Sequence, residues 1–398
     1  MPRVYEEAWL LLLNSFCDGF LMSDTVYTNG FIFHKGKFMQ GGFRISNGRF
    51  VSVFEGPAKE ENAIDLKGQH VIPGLVDIHI HGCFGDDFSD GSTEGILRMS
   101  QNLAHLGITS FLPTTMTLDE EQYIRIAESL NEAINTAGDN SARILGMRME
   151  GPFLSEARKG AHAPIYLANP NLELFHAVQT VSEGRLRVID VAPEKDGAMD
   201  FIKKASKESV VSLAHTDATY EEALHAFKEG AGHVTHLFNA MRPLRHRDPR
   251  IIPALFDSPG ITTEIIGDGI HVHESMVRLA FRECRGRICL ISDALRCMGE
   301  KEGKYNLAGE IITLDGGVAR LSDGTIAGAA LSVYDTLLNL ISMGIAKENA
   351  ILSATSVPAK VIGNQNIGEI EAGRFADFIV CDAKLNRRSV FLGGLQIS

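Results

Sequence analysis

The chain has 398 residues, 44% of them apolar and 22% charged, with 39 glycines and a formal net charge of −12. Those values exclude a disordered chain, argue against nucleic acid or an anionic membrane as a partner, and leave room for a barrel of about 250 residues plus a small companion domain. The six cysteines, Cys17, Cys83, Cys284, Cys289, Cys297 and Cys381, form no C-x-x-C pair and are too sparse for a disulfide scaffold, so reduced thiols and a cytoplasmic location are expected.

Residues 1–21 read as an extension of uncertain status, either an accessory turn of helix or the product of a start upstream of Met22. Its apolar patch, Trp9 to Leu13, is far short of a membrane span, and Glu6 and Glu7 contradict a basic export signal. From Asp24 to Val71 short β patterns follow one another, with Asn47-Gly48 marking a hairpin turn that requires positive φ at both positions. GRFADFIVCD and SVFLGG near the other end read as two more strands. Neither group contains a helix of useful length, so residues 22–72 and 359–398 are expected to share one small β-sandwich.

Between residues 73 and 358 the pattern changes to apolar runs of strand length separated by helix-length segments, the mark of parallel βα units. The runs begin at Leu75, Ile108, Ile144, Arg187, Val210, His233, Ile261 and Arg287. Eight such units predict an α/β fold, a (β/α)8 TIM barrel. TYEEALHAFKEG illustrates the intervening helices, with Ala223, Leu224 and Phe227 at helical spacing and Gly230 as a stop. The eighth helix is delayed to about Leu331 by GEIITLDGGVARLSDGT, which predicts a hairpin over the barrel mouth.

Reactive groups in such barrels project from the C-terminal ends of the strands. Those ends carry His79 and His81, Glu150, His215, His236, His271 and Asp293. His-x-His alone says little, because 14 histidines produce one by chance in about every second chain of this length. Singly, His215 or His236 reads as a hydrogen-bonded histidine, Glu150 as a salt-bridged carboxylate and Asp293 as a helix cap. The conjunction is different: gathered together, these groups would be costly neighbours without a cation to neutralise them. Imidazoles mixed with carboxylates suit Zn²⁺ or Fe²⁺ better than Mg²⁺. Asp293 could then take a proton from an activated water and deliver it to a leaving nitrogen, which is amide hydrolysis. Lys195, just past strand four, offers a second candidate for a bridging ligand, ranked behind Glu150.

The segments PGLVDIHIHG, MEGPFLS followed by KGAHAP, LAHTDATY, THLFNAMRPLRHRDP, GDGIHVHE and ISDA resemble the amidohydrolase superfamily, and within it the deacetylases of N-acetylated amino-sugar phosphates. The resemblance runs from about Val26 to Gly394. It implies hydrolysis of N-acetyl-D-glucosamine 6-phosphate to D-glucosamine 6-phosphate and acetate in amino-sugar catabolism and recycling, with the galactosamine epimer or another amide as the alternative substrate. It implies Glu150, His215 and His236 as ligands of a principal divalent metal, His79 and His81 as ligands of a second ion where one is bound, and Asp293 as the catalytic acid and base. Ala161, His162, Asn239, Ala240, Arg247, His271, Ile326, Ala327 and Gly328 fall at implied substrate contacts. Arg247 resembles a residue that reaches into a neighbouring subunit's site, which implies a homodimer. A non-catalytic phosphosugar-binding protein on the same scaffold should have lost ligands or Asp293, and this chain retains them.

Overall fold

The computed structural model describes residues 24–398, so the extension read at residues 1–21 lies outside the described residues. Eight parallel strands form a nearly closed barrel: Leu75–Ile80, Ile108–Thr115, Met147–Phe153, Leu186–Val191, Val210–Leu213, His233–Val234, Thr262–Ile266 and Ile288–Ile291. Strands one to eight below refer to these in order. Strand one pairs with strand two, and each later strand pairs in parallel with the one before it. Strand eight returns to strand one beyond its own end, where the Asp293 N–H donates to the His79 carbonyl (2.9 Å) and the His81 N–H to the Ala294 carbonyl (2.9 Å). Apart from Arg187, Val210 and Thr262 near strand starts, the strands are buried because helices cover the outside of the sheet. The helix Tyr220–Glu229 shows the local logic: Thr219 and Glu222 close a capping box at its start, Ala223 and Ala226 are buried, and Gly230 ends it.

The ends of the described chain form a separate eight-stranded sheet. Its order runs Leu395–Gln396, Arg387–Leu392, Phe378–Cys381, His70–Pro73, Thr25–His34, Lys37–Ser46, Arg49–Glu55, with Ile64–Asp65 alongside Thr25–His34. The sheet curls until its far members meet, since the Phe50 N–H donates to the Arg374 carbonyl (3.0 Å) and the Phe50 and Phe378 rings lie 6.1 Å apart. Two layers thus face each other across the rings of Tyr27, Phe43, Phe50, Phe378 and Phe391. Stacked and edge-on pairs of this kind each add about 0.5–1.5 kcal/mol beyond burial of area.

Two expectations change in detail. The insertion before the last helices is a four-stranded antiparallel sheet, Gly303–Leu307, Glu310–Asp315, Val318–Arg320 and Ile326–Gly328, rather than one hairpin. Its last strand is tied below by the Ala329 N–H donating to the Asp293 carbonyl (2.9 Å), which brings it to the barrel mouth. Strand six is regular only at His233–Val234, because His236, Phe238 and Ala240 adopt φ of +25°, +79° and +50° and carry the chain out of the sheet.

A candidate metal centre at the barrel mouth

Side chains two apart on a strand point the same way, so Asp77, His79 and His81 share one face of strand one, and Arg148 and Glu150 share one face of strand three. Those faces look into the barrel. His215, His236 and Asp293 lie just past the regular ends of strands five, six and eight, at φ of +43°, +25° and +50°. Left-handed backbone at three non-glycine residues is costly and concentrates where a side chain must be aimed.

The result is a buried cluster in which Glu150 is shared. Its Oε1 faces His236 Nε2 (3.0 Å) and His215 Nε2 (3.2 Å), and its Oε2 faces His81 Nε2 (3.1 Å) and His79 Nε2 (3.5 Å). Asp293 Oδ1 completes the second half, 3.3 Å from His81 Nε2 and 3.4 Å from His79 Nε2. Two groups of potential ligand atoms therefore meet at one carboxylate: Glu150, His215 and His236 on one side, and His79, His81, Glu150 and Asp293 on the other.

The hydrogen-bond pattern says what these rings offer. His215 Nδ1 donates to the Arg158 carbonyl (2.8 Å), His81 Nδ1 to the Thr114 carbonyl (3.2 Å), and His79 Nδ1 to Glu264 Oε2 (3.0 Å). In the neutral state each such ring presents a lone pair on Nε2. The Nε2 atoms of His215 and His236 are only 3.1 Å apart, and His79 Nε2 is buried with no hydrogen-bond partner. Converging lone pairs and an orphaned buried nitrogen fit a cation, and a donor set of imidazoles and carboxylates fits an ion of the Zn²⁺ or Fe²⁺ type. Burial opposes charge on Glu150, but His79 and the hydrogen bonds from His162, His215 and His236 hold its carboxyl well below the usual range. Burial presses His81 down, and Asp293 and Glu150 outweigh it and push the ring up to about 9. Without a metal, the cluster would have to hold protons in its place.

Above the cluster is a cavity of about 460 Å³. Its walls include His81, Glu150, Ala161, His162, His215, His236, Asn239, Ala240, His271, Asp293, Ile326, Ala327 and Gly328, so all but three of the residues singled out from the sequence converge on one space. His79 lies behind this wall, wholly buried. Arg247 is exposed on the loop after strand six, outside the cavity lining, and has no ion-pair partner among the described residues. Lys195 is not part of the cluster: its ammonium pairs with Glu156 at 2.7 Å, and Glu150 is the carboxylate common to both groups of potential ligand atoms.

The rim is braced by Asp217, which takes Arg158 from the strand-three loop (2.7 Å) and Arg242 from the strand-six loop (3.0 Å). Sequence reasoning passed over Arg158, Lys159, Asp323 and Thr325, which also line the cavity. It also passed over the buried network beneath the cluster, where Arg148 donates to Asp190 through Nε and Nη2 (both 2.9 Å) and through Nη1 to Glu264. The available signal was charge inside apolar strands, in GMRMEG and ITTEII.

Comparison with known proteins agrees with this geometry. Residues 70–395 match the amidohydrolase family. The chain is 34% identical over 348 residues to the N-acetylglucosamine-6-phosphate deacetylase of Bacillus subtilis (strain 168), covering 84% of this chain and 87% of that one. It is 30% identical to the N-acetylgalactosamine-6-phosphate deacetylase of Escherichia coli O157:H7, covering 88% and 93%. Among solved structures, a mutant N-acetyl-D-glucosamine-6-phosphate deacetylase of Mycobacterium smegmatis in complex with N-acetyl-D-glucosamine-6-phosphate superposes with a TM-score of 0.89 at 29% identity, covering 94% of this chain and 99% of that one.

Proposed function

The chain belongs to the amidohydrolase family, and from that membership we infer that it hydrolyses N-acetyl-D-glucosamine 6-phosphate to D-glucosamine 6-phosphate and acetate. The observation that carries this reading is the Glu150 carboxylate spanning two sets of imidazole nitrogens at the floor of the cavity. Glu150, His215 and His236 would hold the principal divalent ion, and His79 with His81 a second. When bound, such an ion polarises the amide carbonyl and acidifies a water. Zinc and iron suit the donor set best.

The chain's own residues supply the remaining chemistry. Asp293 faces the cluster through Oδ1 and lines the cavity, placed to take a proton from the attacking water and return it to the departing amine. His162 Nδ1 accepts from the Thr117 N–H (3.2 Å), so its hydrogen sits on Nε2 and points into the site. Burial lowers its pKa to about 4, which keeps the ring neutral; its Nε2 lies 3.4 Å from Glu150 Oε2, and we assign its hydrogen to an amide oxygen that gains charge beside that carboxylate. In His271, Nδ1 donates to Asp268 Oδ2 (2.6 Å). Burial opposes protonation there, but Asp268 outweighs it and raises the pKa, so this ring suits the phosphate or a sugar hydroxyl. Ala161, Asn239, Ala240 and the segment 326–328 complete the substrate wall.

The assembly we propose is a homodimer in which Arg247 enters the second subunit's cavity and contacts the phosphate. Two features support it: the exposure of Arg247 without an acidic partner, and Leu244 in the same loop, 43% exposed. The five described cysteines are buried and unpaired, which fits the reducing cytoplasm, and no helix among the described residues is long and apolar enough to cross a membrane.

The test is acetate release from N-acetylglucosamine 6-phosphate and its galacto epimer, with elemental analysis of the same sample. We expect turnover of the gluco compound, complete loss after chelation and recovery with Zn²⁺ or Fe²⁺. Full activity in a metal-free sample would sink the mechanism, and preference for the galacto epimer would reassign the substrate.

A further inference from the structure

Glu264, in strand seven, touches neither the cavity nor the substrate wall, yet it accepts four hydrogen bonds while wholly buried. Arg148 Nη1 and His233 Nε2 (3.1 Å) reach Oε1, and His79 Nδ1 (3.0 Å) and the His236 backbone N–H (3.1 Å) reach Oε2. That carboxylate is saturated and locked to the guanidinium below it, so it has little freedom to move. One oxygen consequently fixes a ring from one half of the cluster and the backbone of a ligand from the other half.

The four imidazoles are not anchored alike. His81 and His215 are held by backbone carbonyls, which no substitution removes, and His236 Nδ1 has no partner. Of the four, only the His79 ring is held at Nδ1 by a side chain. Without Glu264, nothing would keep the hydrogen on Nδ1 of that ring, and its Nε2 would no longer be reserved for Glu150 and Asp293.

We propose that Glu264 is the positioning residue that aims His79 Nε2 and thereby decides whether the His79/His81 half of the site takes its own divalent ion. The proposal rests on the metal reading above. Its role is thermodynamic and selective: Glu264 meets His236 only at the backbone and not at the ring, so it governs the second equivalent of metal far more than the Glu150, His215, His236 equivalent.

The experiment is stepwise loading of chelator-stripped protein with Zn²⁺, read by elemental analysis and by competition with a chromogenic chelator, for the wild type, Glu264→Gln and Glu264→Asp. We expect two equivalents in the wild type, and in Glu264→Gln a weakening of one of them by roughly 10- to 100-fold with the other nearly unchanged. Glu264→Asp, which keeps the charge, should recover part of the loss. Equal weakening of both equivalents, or none, would overturn the proposal while leaving the metal reading intact. A wild-type protein that took up no metal would overturn the reading itself. If Glu264→Gln does not fold, ¹¹³Cd-loaded wild type with ¹⁵N-histidine decides the matter: coupling of cadmium to His79 Nε2 supports the assignment, and coupling to Nδ1 or none at His79 overturns it.

Discussion

Two side chains separate chemistry from support within the same few ångströms. Asp293 has one oxygen toward His79 and His81 and lines the cavity, which suits a group that trades protons with water and a leaving amine. Asp293→Asn keeps the size but cannot shuttle a proton, so kcat should fall by roughly 10² to 10⁴ while substrate affinity, the Glu150, His215, His236 metal and the melting temperature hold. Near-normal turnover would remove this residue from the reaction. Arg148 is the opposite case, a guanidinium with no exposure that joins Asp190 to Glu264. Arg148→Met would leave two carboxylates buried without a counter-charge, a loss of about 3–5 kcal/mol that denaturant unfolding would register. An unchanged midpoint would mean that water or a rearranged partner replaces the guanidinium.

The loop between strand three and its following helix shows how an element can act on a distant ligand. Gly160 sits at φ +56°, and a Cβ there would lie 3.0 Å from His215 Cε1. Gly184 has φ +77° and open space around it. Both Gly160→Ala and Gly184→Ala should destabilise the fold by about 1–2 kcal/mol through left-handed backbone strain, but only Gly160→Ala should also lower metal occupancy. Equal occupancy in the two variants would mean that His215 yields without cost. The same contrast marks the limit of reading from sequence. Strand positions were legible because apolar runs and parity survive in the letters, and parity alone placed His79 beside His81. The ends of strands five, six and eight were located, but the left-handed turns at His215, His236 and Asp293 that aim those side chains were not, since no residue type there announces positive φ. Glu264 and Arg148 stood visibly as charges inside apolar strands. Pairing them requires the register of strand seven against strand three across the barrel, which periodicity within each strand does not contain.

For the molecule as a whole, the cavity wall carries two cations, Arg158, paired with Asp217, and Lys159, whereas Arg247 stands free of carboxylates on the exposed loop outside it. If that guanidinium serves a second subunit, Arg247→Ala should cost about 1.5–3 kcal/mol in kcat/KM for the phosphorylated sugar. Its unphosphorylated analogue should be unaffected, and an equal loss for both would make the residue structural. Mixing this variant with an Asp293→Asn chain gives a sharper result: mixed dimers should regain one working site, whereas a monomeric enzyme would recover nothing.

The curled terminal sheet also sets a timetable. Strand His70–Pro73 lies between Thr25–His34 on one side and Phe378–Cys381 on the other. Pro73 pairs with Phe378, roughly three hundred positions later, and a ribosome adding about 5–20 residues per second needs tens of seconds to cover that distance. Throughout that interval the nascent chain carries an open strand edge and half of an aromatic interior, the kind of surface that a neighbouring nascent copy or a chaperone can occupy. The barrel strands all lie within that span, so the barrel can form first and hold the waiting edge in place until Phe378–Cys381 has been translated.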